Sequence, residues 1–263
     1  ADSISIYKDI NDLSKRGKFS RFVYKLIFRE SALKVENLIP SKPKKEVKVV
    51  KKYQEGKIIR NITIETLDPF GQSVTNENKK PRNGFERFGN SIHLKTKEFT
   101  IRNLLLFRKN ELCDSLILKE SERLIRRQRY TRSVIIKPVE IPGSRDSVDI
   151  SVRVLDTWSL IPNASITSSK AGYELLERNF LGSGHSWDNR YQHELHDKRR
   201  AFSTRYIIPN IKNTYIQTTL NYQMDLNKDY IKYIQIERNF FSPLTRWAGG
   251  LLLENRFLKD SLT

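Results

Sequence analysis

Apolar and polar positions alternate along several stretches of the last third of the chain. Residues 213–226 read NTYIQTTLNYQMDL. One set of alternate positions carries Ile216, Thr218, Leu220, Tyr222, Met224 and Leu226, and the other Tyr215, Gln217, Thr219, Asn221, Gln223 and Asp225. A period of two predicts a strand with one apolar and one polar face. The run is about twice the usual strand length of roughly 5–6 residues. IPNASITS, YELLERNFL, SWDNRYQHEL, AFSTRYIIP, YIKYIQIERNFF and TRWAGGLLLENRF are also strand-like, with turn residues between them. No helical period appears after Trp158, so this region predicts about seven strands in hairpin succession. Several reach the roughly 9–11 residues that cross a bilayer when tilted. Aromatics fall near strand ends: Tyr173, Phe180, Trp187, Phe240, Phe241 and Trp247, where interfacial girdles would sit. A soluble β-sandwich or lipocalin-like barrel also alternates and stays open as a reading at this point.

The pattern differs over residues 57–157. IIRNITIE alternates, with Ile62 and Ile64 on one face, and a polar insertion from about Gln72 to Asn90 follows. KEFTIRNLLLF has a helix-like pattern. Asp114 sits as the N-cap of DSLILKESERLIRR, whose Ile117, Ser121, Leu124 and Ile125 share a face. YTRSVIIKPVEI and SVDISVRVL then read as two strands about the turn PGSRD. The order strand, helix, helix, strand, strand predicts a small α+β unit with helices on one face of a sheet.

Residues 1–56 form a third region. Ile6, Ile10 and Leu13 have helical spacing, as do Phe19, Phe22, Val23, Leu26 and Ile27, with Gly17 between the sets. Two short helices or one broken helix are expected, packing on the next domain or lying on a membrane surface. SKPKKEVKVVKK then reads as an extended basic linker.

The net charge of +18 over 263 residues first suggests nucleic acid. Its distribution argues otherwise, because Lys15 to Lys57 alone hold 14 bases against 4 acids. That stretch suits a solvated linker or an anionic surface equally well. A nucleic-acid-binding protein and a soluble β-rich structural protein are the alternative readings. The single cysteine, Cys113, excludes an internal disulfide and a cysteine metal cluster. YQHELHD places His193, Glu194 and His196 near His185, but on a strand positions 193 and 196 point to opposite faces. The helical zinc spacing is absent. Asp114, Glu120 and Glu122 read as cap and surface charges. Ser183 lacks a strand–elbow–helix setting. No catalytic, cofactor or metal constellation is expected, and the protein is not expected to be an enzyme.

Taken in order, TIRNLLLFRKNELCDSLILKESERLIRRQRYTRSVIIKPV, VDISVRVLDTWSLIP, NFLGSGH (179–185) and ERNFFSPLTRWAGG (237–250) resemble the BamA/TamA family of outer-membrane assembly factors, in a Bacteroidetes-like form. The likeness covers roughly residues 57–257. It departs at Asn110, where the family commonly has glycine. It implies a POTRA periplasmic domain at 57–157, then the first part of an outer-membrane β-barrel at 158–263. Residues 1–56 would be a helical segment and linker. The family barrel has sixteen strands and an Arg-Gly loop motif with no counterpart here, so the chain reads as the N-terminal part of a longer protein. The implied function is to bind unfolded substrate strands at a POTRA sheet edge and insert β-barrel proteins, or move polypeptide or lipid across the outer membrane. Implied partners are unfolded outer-membrane proteins or secreted polypeptide, outer-membrane lipid, and accessory periplasmic or lipoprotein subunits; no nucleic acid is expected. The edge strand would hold Val134, Ile135, Ile136 and Lys137, and Pro138 fits an edge because it removes a ladder donor. The barrel's lateral gate would hold Ile161, Asn163, Ala164, Ser165 and Ile166.

Overall fold

The computed structural model describes residues 54–259, which belong to one compact unit spanning Lys51–Thr263. The expected N-terminal helices and basic linker lie outside the described residues. Two sheets account for all the described strands. The first is three-stranded, built from β1 (Ile58–Leu67), β2 (Thr131–Glu140) and β3 (Ser147–Asp156) in the order β1-β3-β2. The central β3 runs parallel to β1 and antiparallel to β2. Val148, Ile150, Val152 and Val154 are 0–1% exposed, so one face of β3 is the floor of the core.

Helices α1 (Gly84–Ile92), α2 (Glu98–Arg102) and α3 (Ser115–Arg126) join β1 to β2. The Asp114 carboxylate accepts from the Leu116 and Ile117 amides, at 2.7 and 3.3 Å, which satisfies two orphan donors of α3. Leu118, Leu124 and Ile125 are buried, alongside Ile101, Leu105, Val134 and Ile136. Each such side chain contributes about 1.5–3 kcal/mol of transfer free energy. Asn110 has φ 70°, and its amide donates to Ile59 O at 2.8 Å. Asparagine tolerates this left-handed conformation best after glycine, which accounts for its place in the inter-helix turn.

Two helices differ from the sequence expectation. Helix α1 begins inside the stretch expected to be a polar insertion and ends just past it. Its start is fixed by Asn83, whose side chain accepts from the Glu86 amide, while Glu86 accepts from the Arg82 amide. The KEFTIRNLLLF helix is only five residues long, Glu98–Arg102, with Leu104 and Leu105 in irregular backbone that still fills the core.

The second sheet is an antiparallel meander in strict sequence order: β4 (Leu160–Ile166), β5 (Lys170–Phe180), β6 (His185–Glu194), β7 (Arg200–Ile208), β8 (Gln217–Met224), β9 (Tyr230–Arg238) and β10 (Gly249–Phe257). It does not close, and β4 and β10 are its edges. The long strand expected over residues 213–226 is eight residues in the structure. Asn213 and Tyr215 take positive φ values of 65° and 58°, so 213–216 is a turn whose side chains imitate alternation.

Candidate functional site

Register turns the period-two pattern into two faces with different chemistry. On one face Tyr173, Tyr191, Phe202, Met224, Tyr230 and Phe257 form a row across β5 to β10. Nearer β1–β3, Trp187, Leu220, Ile234 and Leu253 lie in a second row on that face. Leu220, Ile234 and Leu253 are 42–59% exposed. A row of large apolar side chains is thus open, with no described segment over it. The opposite face carries Asp188, Arg205, Asn221, Tyr233 and Glu254 in register. Arg190 bridges Glu174 and Asp188 there at 3.0 and 3.1 Å, and Gln217 donates to Glu237 at 3.0 Å.

Three turns at one rim of this sheet dock on the α/β module. The first, residues 181–184, is the NFLGSGH segment. Gly182 O accepts from the Lys97 amide at 2.8 Å and from Thr100 Oγ1 at 2.9 Å. Asn179 is 1% exposed and donates to Thr96 Oγ1 at 2.9 Å, while its Oδ1 accepts from the Gly184 amide at 2.8 Å. Thr96 in turn donates to the fully buried Asp156 twice, from its amide at 2.7 Å and its hydroxyl at 2.8 Å. His93 Nε2 lies 3.1 Å from the same carboxylate. A single buried network thus runs from α1's end, through the end of β3, to the β5–β6 turn. Such a network holds firmly when every member is satisfied, and costs heavily when one is lost.

The second turn, 209–216, places Tyr215 against the module's core, where its hydroxyl donates to Leu104 O at 3.0 Å. Burial pushes the Tyr215 hydroxyl well above the usual phenol range. Asn210 donates to Asn103 O at 2.7 Å. The third turn, 239–248, stacks Phe241 on Tyr215 with centroids 3.7 Å apart, and Phe241 O accepts from Arg123 at 2.9 Å. Arg238 lies over the Trp247 ring at 4.0 Å and donates to Thr214 O and Trp247 O. The opposite rim, with turns 167–169, 195–199 and 225–229, has no such support among the described residues.

Val134, Ile135, Ile136 and Lys137 lie on β2, an edge of the three-stranded sheet. Val134 and Ile136 are 2% and 9% exposed and face the helices. Ile161, Asn163, Ala164, Ser165 and Ile166 lie on β4, an edge of the seven-stranded sheet. The two sets belong to different sheets and are not brought together. His193 sits between Tyr173 and Tyr191, with centroids 6.2 and 6.0 Å away, and Glu194 pairs with Arg199. His185 meets Tyr206. Ser183 Oγ donates to Phe180 O within its own turn. The joint residues Thr96, Asp156, Asn179 and Tyr215 were not singled out by sequence. The only available signal was the pair of glycines, Gly182 and Gly184, in a turn longer than two strands require.

No family model matches the chain, and no curated protein sequence does. Among solved structures, the chain is similar to BamA from Haemophilus ducreyi lacking POTRA domains 1–3, with 12% identity and a TM-score of 0.41 over 67% of this chain. It is also similar to CdiB from Acinetobacter baumannii, with 10% identity and a TM-score of 0.38 over 79% of this chain. The matched regions are 31% and 35% of those two proteins, so the chain spans about a third of either.

Proposed function

We infer that the seven-stranded sheet is part of an outer-membrane β-barrel, that the α/β unit is its POTRA module, and that the protein takes up unfolded polypeptide for insertion into, or transfer across, the outer membrane. One observation carries this reading: an open apolar face and an ion-paired polar face on the same meander, pinned to a globular module, among the described residues, at one rim. A ten-residue antiparallel strand is about 34 Å long. Tilted by about 45°, it crosses about 24 Å, close to the apolar band of roughly 25 Å on such barrels. The aromatic row at Tyr173 would mark one interface, and Trp187 with Trp247 the other. The polar face would line a wet lumen. The edge strand β4 would be the gate through which a substrate strand adds to the sheet.

The test is reconstitution. The protein carrying this chain, placed in vesicles of outer-membrane lipid, should speed the folding of a urea-denatured eight-stranded barrel protein. Equal folding rates with and without it would overturn the reading.

A further inference from the structure

Backbone accounting separates the two edges of the three-stranded sheet. Successive residues of a strand send their N–H and C=O groups to opposite sides. On β2, the Ile136 amide donates to Glu122 Oε2 at 3.2 Å, away from β3. The outward-facing residues are therefore Val134, Ile136, Pro138 and Glu140. Ile136 is already satisfied, and Glu122 is held at that post by its ion pair with Arg126. Pro138 has no N–H. Two successive donor positions are thus closed to an incoming strand.

The β1 edge is different. Its first outward residue, Ile59, is occupied, since its amide donates to Glu111 O at 2.9 Å and its carbonyl accepts from Asn110 at 2.8 Å. The register then shifts between Ile59 and Asn61. Ile62 O accepts from Arg102 at 3.4 Å, so the outward set resumes as Ile62, Ile64 and Thr66. Among the described residues, no group meets the amides of these three or the carbonyls of Ile64 and Thr66. Ile62 and Ile64 pack toward the helices, while Asn61, Thr63 and Glu65 are exposed on the other face.

We propose that β1, from Ile62 to Thr66, is the edge to which an extended polypeptide adds, in place of β2. The inference rests on the reading that this module takes up unfolded polypeptide. The matching ligand is a strand with alternating apolar residues. Its backbone would meet the open groups of Ile62, Ile64 and Thr66. Its apolar side would extend the row of Ile62 and Ile64, and its polar side would continue that of Thr63 and Glu65.

The experiment uses the whole chain in detergent micelles and an eight-residue peptide of alternating valine and threonine. Amide hydrogen exchange is followed residue by residue, with and without peptide. The Ile64 and Thr66 amides should slow by about tenfold or more at saturation, with Val134 unchanged. Ile64→Pro, which removes an outward donor and no ladder bond, should weaken peptide binding about tenfold, the size of one lost hydrogen bond. Ile136→Pro should change it less than about threefold on the same scale. Burial of Cys113 against thiol reagents reports that each variant is folded. Slowing at Val134 in place of Ile64 would move the address back to β2 and overturn the proposal, while leaving polypeptide uptake intact. Protection of Ile64 before any peptide is added would show the edge filled by the chain's own residues, and would equally overturn it. Absence of peptide binding would overturn this proposal and the uptake reading together.

Discussion

Gly182 and Gly143 form a matched pair that isolates the joint between module and sheet. Both take left-handed backbone, with φ of +73° and +83°. Alanine in that conformation costs about 1 kcal/mol at either position. Their surroundings differ. A Cβ on Gly143 meets nothing within 4 Å, whereas one on Gly182 would lie 2.3 Å from the carbonyl oxygen of Lys95. The turn can relieve that overlap only by lifting away, which breaks the bonds from the Lys97 amide and the Thr100 hydroxyl to Gly182 O. Each is worth about 1 kcal/mol net. Gly182→Ala should therefore cost about 3 kcal/mol at the joint, against about 1 kcal/mol for Gly143→Ala. Opening of the joint exposes the bonds after Lys95 and Lys97. When opening is fast relative to cleavage, proteolysis follows the open population, so trypsin should release the fragments ending there about 100-fold faster in Gly182→Ala. Mass spectrometry of timed digests reads this out. Equal release from the two alanine variants would refute the close-approach argument.

Further outcomes follow from the same structure. Tyr215→Ala should lower stability in urea unfolding by about 3 kcal/mol, through lost packing in the module's core, and Tyr215→Phe by about 1 kcal/mol through the hydroxyl alone. Similar losses from both would contradict the packing. Cys113 is 3% exposed, and its thiol is pushed up by burial and by Glu55 and Asp114. It should react with a disulfide reagent at least about a thousandfold more slowly than free thiol until the chain unfolds; prompt labelling of native protein would count against the core assignment. Arg123 first, then Ser242, holds the Glu120 carboxyl below its usual range. That contribution is complete above the unfolded value, near pH 4.3, and is lost as pH falls through the depressed folded value. Glu120→Gln should therefore flatten the acid limb of the stability curve, and an unchanged limb would refute the coupling. Finally, cysteines at 220 and 222 in the membrane-inserted protein should resist a charged thiol reagent while those at 221 and 223 react; uniform labelling at all four would contradict the barrel reading.

The sequence was legible where one period and one environment coincide. SVDISVRVL alternates because β3 has one face on the core, and Asp114 announces α3 because an N-cap is a local device. It misled where a local pattern continued past the end of its element: Tyr215 and Ile216 keep time with β8, but they belong to the turn. Helix α1 escaped notice because its aromatics, Phe85 and Phe88, are surface-exposed and interrupt a polar stretch. The joint was unreadable because its bonds span wide gaps in sequence, such as Thr96 to Asn179 and Leu104 to Tyr215. No periodicity carries a signal across such distances. The edge strands were nameable, but which amides point outward depends on single contacts such as Glu122 to Ile136.

Among the described residues the sheet is supported at one rim, and this has a mechanical consequence. The hairpins that carry β5 to β10 are fastened at their base, like the ribs of a fan at its rivet, and among the described residues their far ends meet one another. Any force that parts neighbouring strands must do the least work at the far rim and the most at the module. Separation therefore starts as a wedge, widest where Tyr173 and Tyr191 lie, and narrows to nothing at Asn179. An inserting strand would gain its first foothold at the unfastened end and advance toward the rivet one residue pair at a time.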